Sequence, residues 1–383
     1  MKKLNMLLAV AGVALAASLP AHAQVKIGVI ASSTGPTAFV GIPQKNAVAL
    51  LAKKAGNLDV EYIVLDDASD STQSVTLTKK LLSESKIDAM IGPSGSPNAM
   101  GVLQFMAEAQ TPMLAPVGTP AVVIPMDDKK RWVFKTHPND DIIGAGLIAA
   151  MAKRGVKTIG FIGYNDPYGE SWFKAISPLA EKAGIKIIAS ERYSRQDTSV
   201  TGQVVKLIAA KPDAVLVAGV AAGAALPHGQ LIDAGYKGPI FHTHGSATGA
   251  FIQIGAKKVE GALVVGPALL VIDEIADANP VKKVAMDFIG PYEKQFGQRP
   301  PIFGAGVYDA SLLLGRAIPE AAKKAKPGTP EFRAALRDAI ETTKDMTMSQ
   351  GIVSMTPQDH SGYDQRGTVL ITVKDGKFAL VKD

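Results

Sequence analysis

The chain has 383 residues, a formal net charge of +6 and no cysteine; 47% of its residues are hydrophobic and 20% are charged. Its basic residues are scattered among acidic ones, which excludes the clustered basic face of a nucleic-acid-binding protein. Because disulfides are excluded as well, the fold has to rely on a large apolar core.

The first 23 residues are typical of a secretory signal peptide. Lys2 and Lys3 precede the apolar run Met6 to Leu19, and Ala21-His22-Ala23 is a small-residue cleavage signal. The run is shorter than the roughly 20 apolar residues of a membrane span, so we expect cleavage after Ala23. Since no Cys follows for lipid attachment, we expect a free protein of the Gram-negative periplasm.

Apolar strands alternate with helical patterns from residue 25 to residue 136. The predicted strands are Val25 to Ile30, Val60 to Leu65, Asp88 to Ile91, Pro112 to Ala115 and Trp132 to Thr136. The predicted helices between them are Ile42 to Ala55, Thr72 to Ser83 and Asn98 to Gln110. Strands separated by helices in this way indicate βαβ units and a parallel sheet.

The same alternation restarts after His137-Pro138 and predicts a second sheet. Its strands are Thr158 to Ile162, Ile185 to Ala189, Ala214 to Ala218, Pro239 to His242 and Ala262 to Val265. Its helices are Ile142 to Arg154, Gly169 to Ala183, Val200 to Ala210 and Ala225 to Ala234. The fold class is therefore α/β, with two doubly wound parallel-sheet lobes.

The remainder from Asp273 is too short for a third lobe of this kind. It contains three predicted helices and a hairpin closed by Asp375-Gly376: Pro280 to Phe296, Gly306 to Lys323, Pro330 to Thr343, and the strands Thr368 to Val373 and Phe378 to Val381. We expect the chain to return and decorate both lobes, so that repeated crossings form a hinge.

Ligands of open α/β sheets bind beyond the carboxyl ends of the strands. In the first lobe these ends carry small, hydroxyl-rich loops, which are Ser32 to Pro36, Gly92 to Ser96 and Pro116 to Thr119. Backbone N–H groups and hydroxyls at helix N-termini suit an anion such as a carboxylate. The alternative is that these Ser and Thr residues only cap helices and form turns.

At these loops the sequence resembles the branched-chain amino-acid binding proteins of ABC importers, the leucine/isoleucine/valine type. The matching segments follow in order through the mature chain: Lys26 to Ile30, Ser33 to Pro36, Ile91 to Ser96, Pro112 to Thr119, Tyr168-Gly169, Gly255 to Gly261 and Tyr308 to Ala310. The resemblance implies a type I periplasmic-binding, Venus-flytrap fold with a three-crossing hinge. We expect an N-terminal lobe of residues 24–137 plus 273–346 and a C-terminal lobe of residues 138–272 plus 347–383.

The resemblance also implies roles for five residues. Ser96 would grip the ligand carboxylate, and Val117 and Thr119 would complete that grip. Tyr168 would cover the ligand from the second lobe, and Phe303 would line the side-chain pocket. The protein would close on a small-molecule carboxylate or amino acid and then dock, as a monomer, on the membrane permease of an ABC importer.

One position departs from the pattern of the family. Amino-acid binders place a carboxylate in the second lobe to hold the ligand ammonium, and the matching position here is His244. Ala221 and Val40 stand where larger ligand-facing residues are often found. We therefore expect a hydrophobic carboxylate without an ammonium, in particular an aromatic acid. The alternative is that Asp166 or another acid holds the ammonium of an aliphatic amino acid.

Other chemistry receives little support from the sequence. His242 and His244 share a strand face, but no further ligand stands at metal-binding spacing. Gly144 and Gly146 lie within a predicted helix, so they do not form a dinucleotide fingerprint. We predict no enzyme activity, no metal and no cofactor; a secreted α/β hydrolase and a ligand-sensing receptor domain are the competing classes.

Overall fold

The computed structural model describes residues 24–382, so the predicted signal peptide lies outside the described residues. The first lobe contains a six-stranded sheet in the order β2-β3-β1-β4-β5-β6. Its strands are β1 (Val25–Ile30), β2 (Lys54–Ala55), β3 (Leu58–Leu65), β4 (Ala89–Ile91), β5 (Met113–Ala115) and β6 (Val133–Lys135). All pairs are parallel except β2 with β3.

The second lobe contains a seven-stranded sheet in the order β15-β14-β11-β10-β9-β7-β8. Its strands are β7 (Thr158–Tyr164), β8 (Lys186–Tyr193), β9 (Ala214–Ala218), β10 (Ile240–His242), β11 (Leu263–Pro267), β14 (Thr368–Lys374) and β15 (Lys377–Leu380). The strands β7 to β11 pair in parallel, and β14 and β15 add an antiparallel hairpin. The fold class predicted from the sequence is confirmed.

Helices cover these sheets. They are α1 (Ala38–Val48), α2 (Ser71–Lys80), α3 (Ser96–Glu108), α4 (Asp140–Lys153), α5 (Pro167–Lys182), α6 (Thr201–Ala209), α7 (Ala222–Asp233), α8 (Gly249–Gly255), α9 (Pro280–Phe296), α10 (Ile302–Ala322) and α11 (Pro330–Glu341). A short pair, β12 (Met346–Thr347) and β13 (Ile352–Val353), follows α11. In the part of the chain that the structure describes, none of the helices has the length and apolarity of a membrane span.

The chain passes between the lobes three times. It leaves β6 for α4, it leaves β11 for the helices α9 to α11, and it leaves α11 for β14. Helix α10 packs on α1, and Tyr292 in α9 accepts a hydrogen bond from Asn46 at 3.3 Å, so these helices belong with the first sheet. The boundaries at residues 137, 272 and 346 stay predictions.

The predicted helix Ile42 to Ala55 is wrong at both ends. The helix runs from Ala38 to Val48, and Lys54–Ala55 instead forms β2, which turns back antiparallel to β3. Gly56 has φ +59°, a left-handed conformation that glycine adopts without strain, so Gly56-Asn57 forms the two-residue turn. The hairpin predicted at Asp375-Gly376 is confirmed, since it joins β14 to β15.

Candidate functional site

A cavity of about 40 Å³ lies between the carboxyl ends of the two sheets. Its lining combines both lobes, and six of the eight site residues predicted from the sequence belong to it: Val40, Ser96, Val117, Tyr168, His244 and Phe303. The residues not predicted are Thr37, Ser94, Gly95, Pro116, Gly118, His137, Arg195, Val220 and Gly245. The two sheets therefore bring distant loops together at one place.

On the first-lobe side, Ser96 begins α3 and has a free hydroxyl. Its side chain is 4% exposed, the N-cap residue is Gly95, and no described side chain or backbone group hydrogen-bonds the Ser96 hydroxyl. The neighbouring Ser94 is different, because its hydroxyl donates to Gln44 and accepts from the backbone N–H of Ser32 at 2.8 Å. Ser96 thus offers a hydroxyl beside a helix N-terminus, where an anion is stabilised.

Thr119 and Ala221 do not line this cavity. Thr119 is fully buried, and its hydroxyl accepts a hydrogen bond from the N–H of Ala121 at 3.2 Å, so it caps a short 3-10 turn. Thr119 faces a separate groove formed with Pro167 and Lys174 of the second lobe. Ala221 lies behind Val220, which takes its place in the lining.

Arg195 is the charged residue of the cavity, and three contacts fix its position. Its Nε donates to Asp166 at 2.5 Å, and its guanidinium lies 4.3 Å from the ring centre of Tyr164 and 5.9 Å from that of Tyr168. Asp166 also accepts from the backbone N–H groups of Tyr168 and Gly169, which caps α5. Only the Nε of Arg195 is hydrogen-bonded within the described chain, so both terminal nitrogens can bind a carboxylate.

Sequence reasoning missed Arg195 because the predicted strand was too short. The strand β8 continues from Lys186 to Tyr193 instead of ending at Ala189; burial alternates from Lys186 to Glu191, and Tyr193 is buried. Arg195 therefore lies two residues beyond a strand end, at the carboxyl edge of the sheet. The strand was predicted from its apolar residues, so the polar residues Ser190, Glu191 and Arg192 were not included in it.

Two histidines face the cavity in their neutral form. Burial lowers the pKa of His137 to about 4 and that of His244 to about 3. The charge of Lys135, which is buried and donates to the carbonyl of Gly118, also lowers both pKa values, and for His244 the neighbouring His137 contributes ahead of it. Burial lowers the pKa of Lys135 to about 8, so this lysine remains protonated at neutral pH.

The rest of the lining is apolar or aromatic. Val40, Val117 and Phe303 are at most 7% exposed, and the Phe303 ring meets the His137 ring edge-on at 6.4 Å between centroids. Tyr168 shares a hydrogen bond of 2.7 Å with Thr243, which orients its ring across the cleft. Of the described residues, no Asp or Glu lines the cavity.

Asp140 is the acid that lies beside the cavity, behind Gly118. A Cβ built on Gly118 would be 3.0 Å from Asp140 Oδ1 and 3.2 Å from His244 Cε1. Asp140 Oδ2 accepts from Ser171 at 2.6 Å, whereas Oδ1 has no partner among the described residues. Burial raises the pKa of Asp140 to about 6.

The pair His242 and His244 is divided between two environments. His242 is hydrogen-bonded to His228 at 2.8 Å and to Ser246 at 3.0 Å, whereas His244 lines the cavity. No group of three or more potential metal ligands exists among residues 24–382.

Comparisons with known proteins agree with this geometry. The family described as "Periplasmic binding protein" matches residues 24–377. A Leu/Ile/Val-binding protein of Rhizobium johnstonii is 28% identical over 87% of this chain and 88% of its own length. An extracellular ligand-binding receptor of Rhodopseudomonas palustris is 44% identical, with a TM-score of 0.90 over 93% of this chain and 99% of that chain.

A more distant structure shares the fold. The branched-chain amino acid transporter substrate binding protein LivJ of Streptococcus pneumoniae, in complex with isoleucine, is 20% identical, with a TM-score of 0.78 over 94% of this chain and all of its own. The two α/β lobes, the cleft between their strand ends and the match across residues 24–377 lead to one conclusion. This chain belongs to the periplasmic binding protein family.

Proposed function

We propose that the protein binds a hydrophobic carboxylate, in particular an aromatic acid, for uptake by an ABC importer. The observation that carries this proposal is the charge of the cavity lining, in which Arg195 is the cation and no described acid is present. A carboxylate bound there pairs with Arg195, whereas an ammonium meets no anion. The apolar wall of Val40, Val117 and Phe303 suits a hydrophobic body.

Each lobe supplies one part of the proposed grip. Ser96 and the N-terminus of α3 bind the carboxylate from the first lobe, and Arg195 binds it from the second. Tyr168 and His244 then cover the ligand. Because the contacts come from both lobes, bound ligand favours the closed arrangement of the cleft.

The arrangement of Asp166 argues against its role as an ammonium partner. Both of its carboxylate oxygens are engaged, one with two backbone N–H groups and the other with Arg195. The sequence hypothesis that Asp166 holds an amino-acid ligand therefore loses its geometric support.

An aliphatic amino acid is the second candidate ligand. Asp140 Oδ1 favours it, since this buried oxygen has no partner and lies beside Gly118 on the same side as His244 and Tyr168, which line the cavity. The Rhizobium relative is a Leu/Ile/Val-binding protein, which is consistent with this candidate.

Titration calorimetry of the mature protein against benzoate and against leucine separates the two candidates. We expect saturable benzoate binding and weak or undetectable leucine binding. Tight leucine binding without benzoate binding would contradict the proposal. We further propose that the mature protein works as a periplasmic monomer that delivers its ligand to a membrane permease.

A further inference from the structure

His137 stands at the first crossing between the lobes and at the apolar end of the cavity. Its side chain is 2% exposed, and its ring lies edge-on to Phe303. A Cβ built on Gly306, one helical turn after Phe303, would be 2.7 Å from His137 Nε2. This nitrogen is buried and has no hydrogen-bond partner among the described residues.

The hydrogen bonds of Gln350 determine which nitrogen of His137 carries the proton. The side-chain nitrogen of Gln350 lies 3.1 Å from the carbonyl oxygen of Thr136 and 3.0 Å from Asp309 Oδ2. A carbonyl oxygen can only accept, so the amide NH₂ must face it. The Gln350 oxygen therefore faces His137 Nδ1, at 2.7 Å, and requires an N–H there.

A neutral imidazole with its proton on Nδ1 has a lone pair on Nε2. His137 is neutral at pH 7 because burial, aided by the charge of Lys135, lowers its pKa to about 4. His137 Nε2 is thus a hydrogen-bond acceptor at the edge of the cavity. A buried acceptor without a partner is unfavourable, and a ligand donor would relieve that cost.

We propose that His137 Nε2 accepts a hydrogen bond from a hydroxyl group of the ligand, so that the site selects hydroxylated aromatic carboxylates over unsubstituted ones. This inference rests on the proposed function and names the ligand class more narrowly. An ammonium donor fits this position less well, because the charge of Lys135 that disfavours a protonated His137 disfavours any cation there.

Calorimetry of the unmodified mature protein tests the inference with benzoate, the three hydroxybenzoates and the matching methoxybenzoates. At least one hydroxybenzoate should bind roughly 10- to 100-fold more tightly than benzoate. Its methoxy counterpart, which has the oxygen but no donor, should lose that advantage. Equal affinities of benzoate and all three hydroxybenzoates, or an advantage that the methoxy compound keeps, would overturn the inference.

The variant His137→Asn tests whether His137 Nε2 causes the preference for hydroxylated acids. Its amide nitrogen can replace Nδ1 as the donor to Gln350, while no acceptor remains at the position of Nε2. Because His137 lines the cavity, the variant also loses ring contacts and should weaken benzoate to some extent. We expect the larger loss for the hydroxybenzoate, so that the two acids bind with similar affinity. A preference that persists in His137→Asn, or an equal loss for benzoate and hydroxybenzoate, would contradict the proposed hydrogen bond.

The variant Phe303→Leu is the matched control on the same wall of the cavity. It shortens an apolar contact and should weaken benzoate and hydroxybenzoate by a similar factor, so the ratio of their affinities is kept. If Phe303→Leu changes the ratio of the two affinities, the selectivity comes from packing against the Phe303 ring and not from His137. Two negative results can be told apart. Binding of leucine alone would contradict the proposed function, whereas equal binding of all the aromatic acids would contradict only the role of His137.

Discussion

The two lobes meet the cleft with different chemistry. The first lobe presents neutral dipoles, namely the hydroxyl of Ser96 and the N-terminus of α3, and the charge of its buried Lys135 is directed at the Gly118 carbonyl. The second lobe presents the guanidinium of Arg195, held by an ion pair and an aromatic ring. In the function proposed above, the first lobe orients the ligand through its backbone, and the second lobe supplies the charge that selects an acid.

Replacing Arg195 by Ala is expected to have the largest effect, because it removes the charge that the second lobe contributes to the cleft. Loss of the guanidinium should weaken benzoate binding by roughly 100-fold, because a partly buried carboxylate loses its charged partner. Calorimetry measures the loss. The control Arg195→Lys keeps the charge but not the planar fork, so it should recover part of the affinity; full affinity in Arg195→Ala would assign the grip to the first lobe alone.

Because His244 is neutral in the folded protein, the free energy of unfolding should depend on pH. Its folded pKa of about 3 lies below the ordinary 6.5, so the unfolded chain takes up a proton as pH falls below 6.5, while the folded chain does not. The histidine therefore contributes stability above pH 6.5 that is lost as pH falls towards 3. In the ligand-free protein, His244→Gln should reduce the loss of unfolding free energy between pH 7 and pH 5 by about 2 kcal/mol.

Urea denaturation at the two pH values measures this difference. The folded state also contains Asp140 and Asp309, whose pKa values are raised by burial to about 6 and which act in the opposite direction. Both acids are present in each protein, so the comparison cancels them. An identical pH dependence in the variant would show that His244 is accessible to water.

Ser96→Ala should have the smallest of the three effects, about a tenfold loss of benzoate affinity with little change in stability. The hydroxyl is free in the structure, so its removal leaves no internal group without a partner. Thr119→Val is the matched control, because it should cost about 1 kcal/mol of stability through the lost cap and leave affinity unchanged. If Thr119→Val instead lowered the affinity and Ser96→Ala did not, Thr119 and not Ser96 would bind the ligand carboxylate.

The local sequence pattern predicted much of the fold and part of the site. The alternation of strands and helices was sufficient for both sheets, and the loops after the strands contained Ser96 and Tyr168, which line the cavity. The predicted end of α1 was wrong because the helical pattern continues into Lys54–Ala55. These two residues form a strand through their pairing with Leu58 and Asp59 of β3, which the helical pattern does not include. The family resemblance predicted Phe303, but the helix that carries it begins at Ile302 rather than at Gly306.

The sequence by itself determined the two-lobed α/β architecture and the edge of each sheet where a ligand binds, because periodic burial along the chain is a local property. Only the tertiary structure decided which side chains remain available at that edge. Ser94 and Thr119 are occupied by internal hydrogen bonds, whereas Ser96, the two terminal nitrogens of Arg195 and His137 Nε2 have no partner among the described residues. The Thr119 bond is a local cap, but the partners of Ser94, which are Ser32 and Gln44, lie far away in sequence, so no pattern of neighbouring residues contains those bonds.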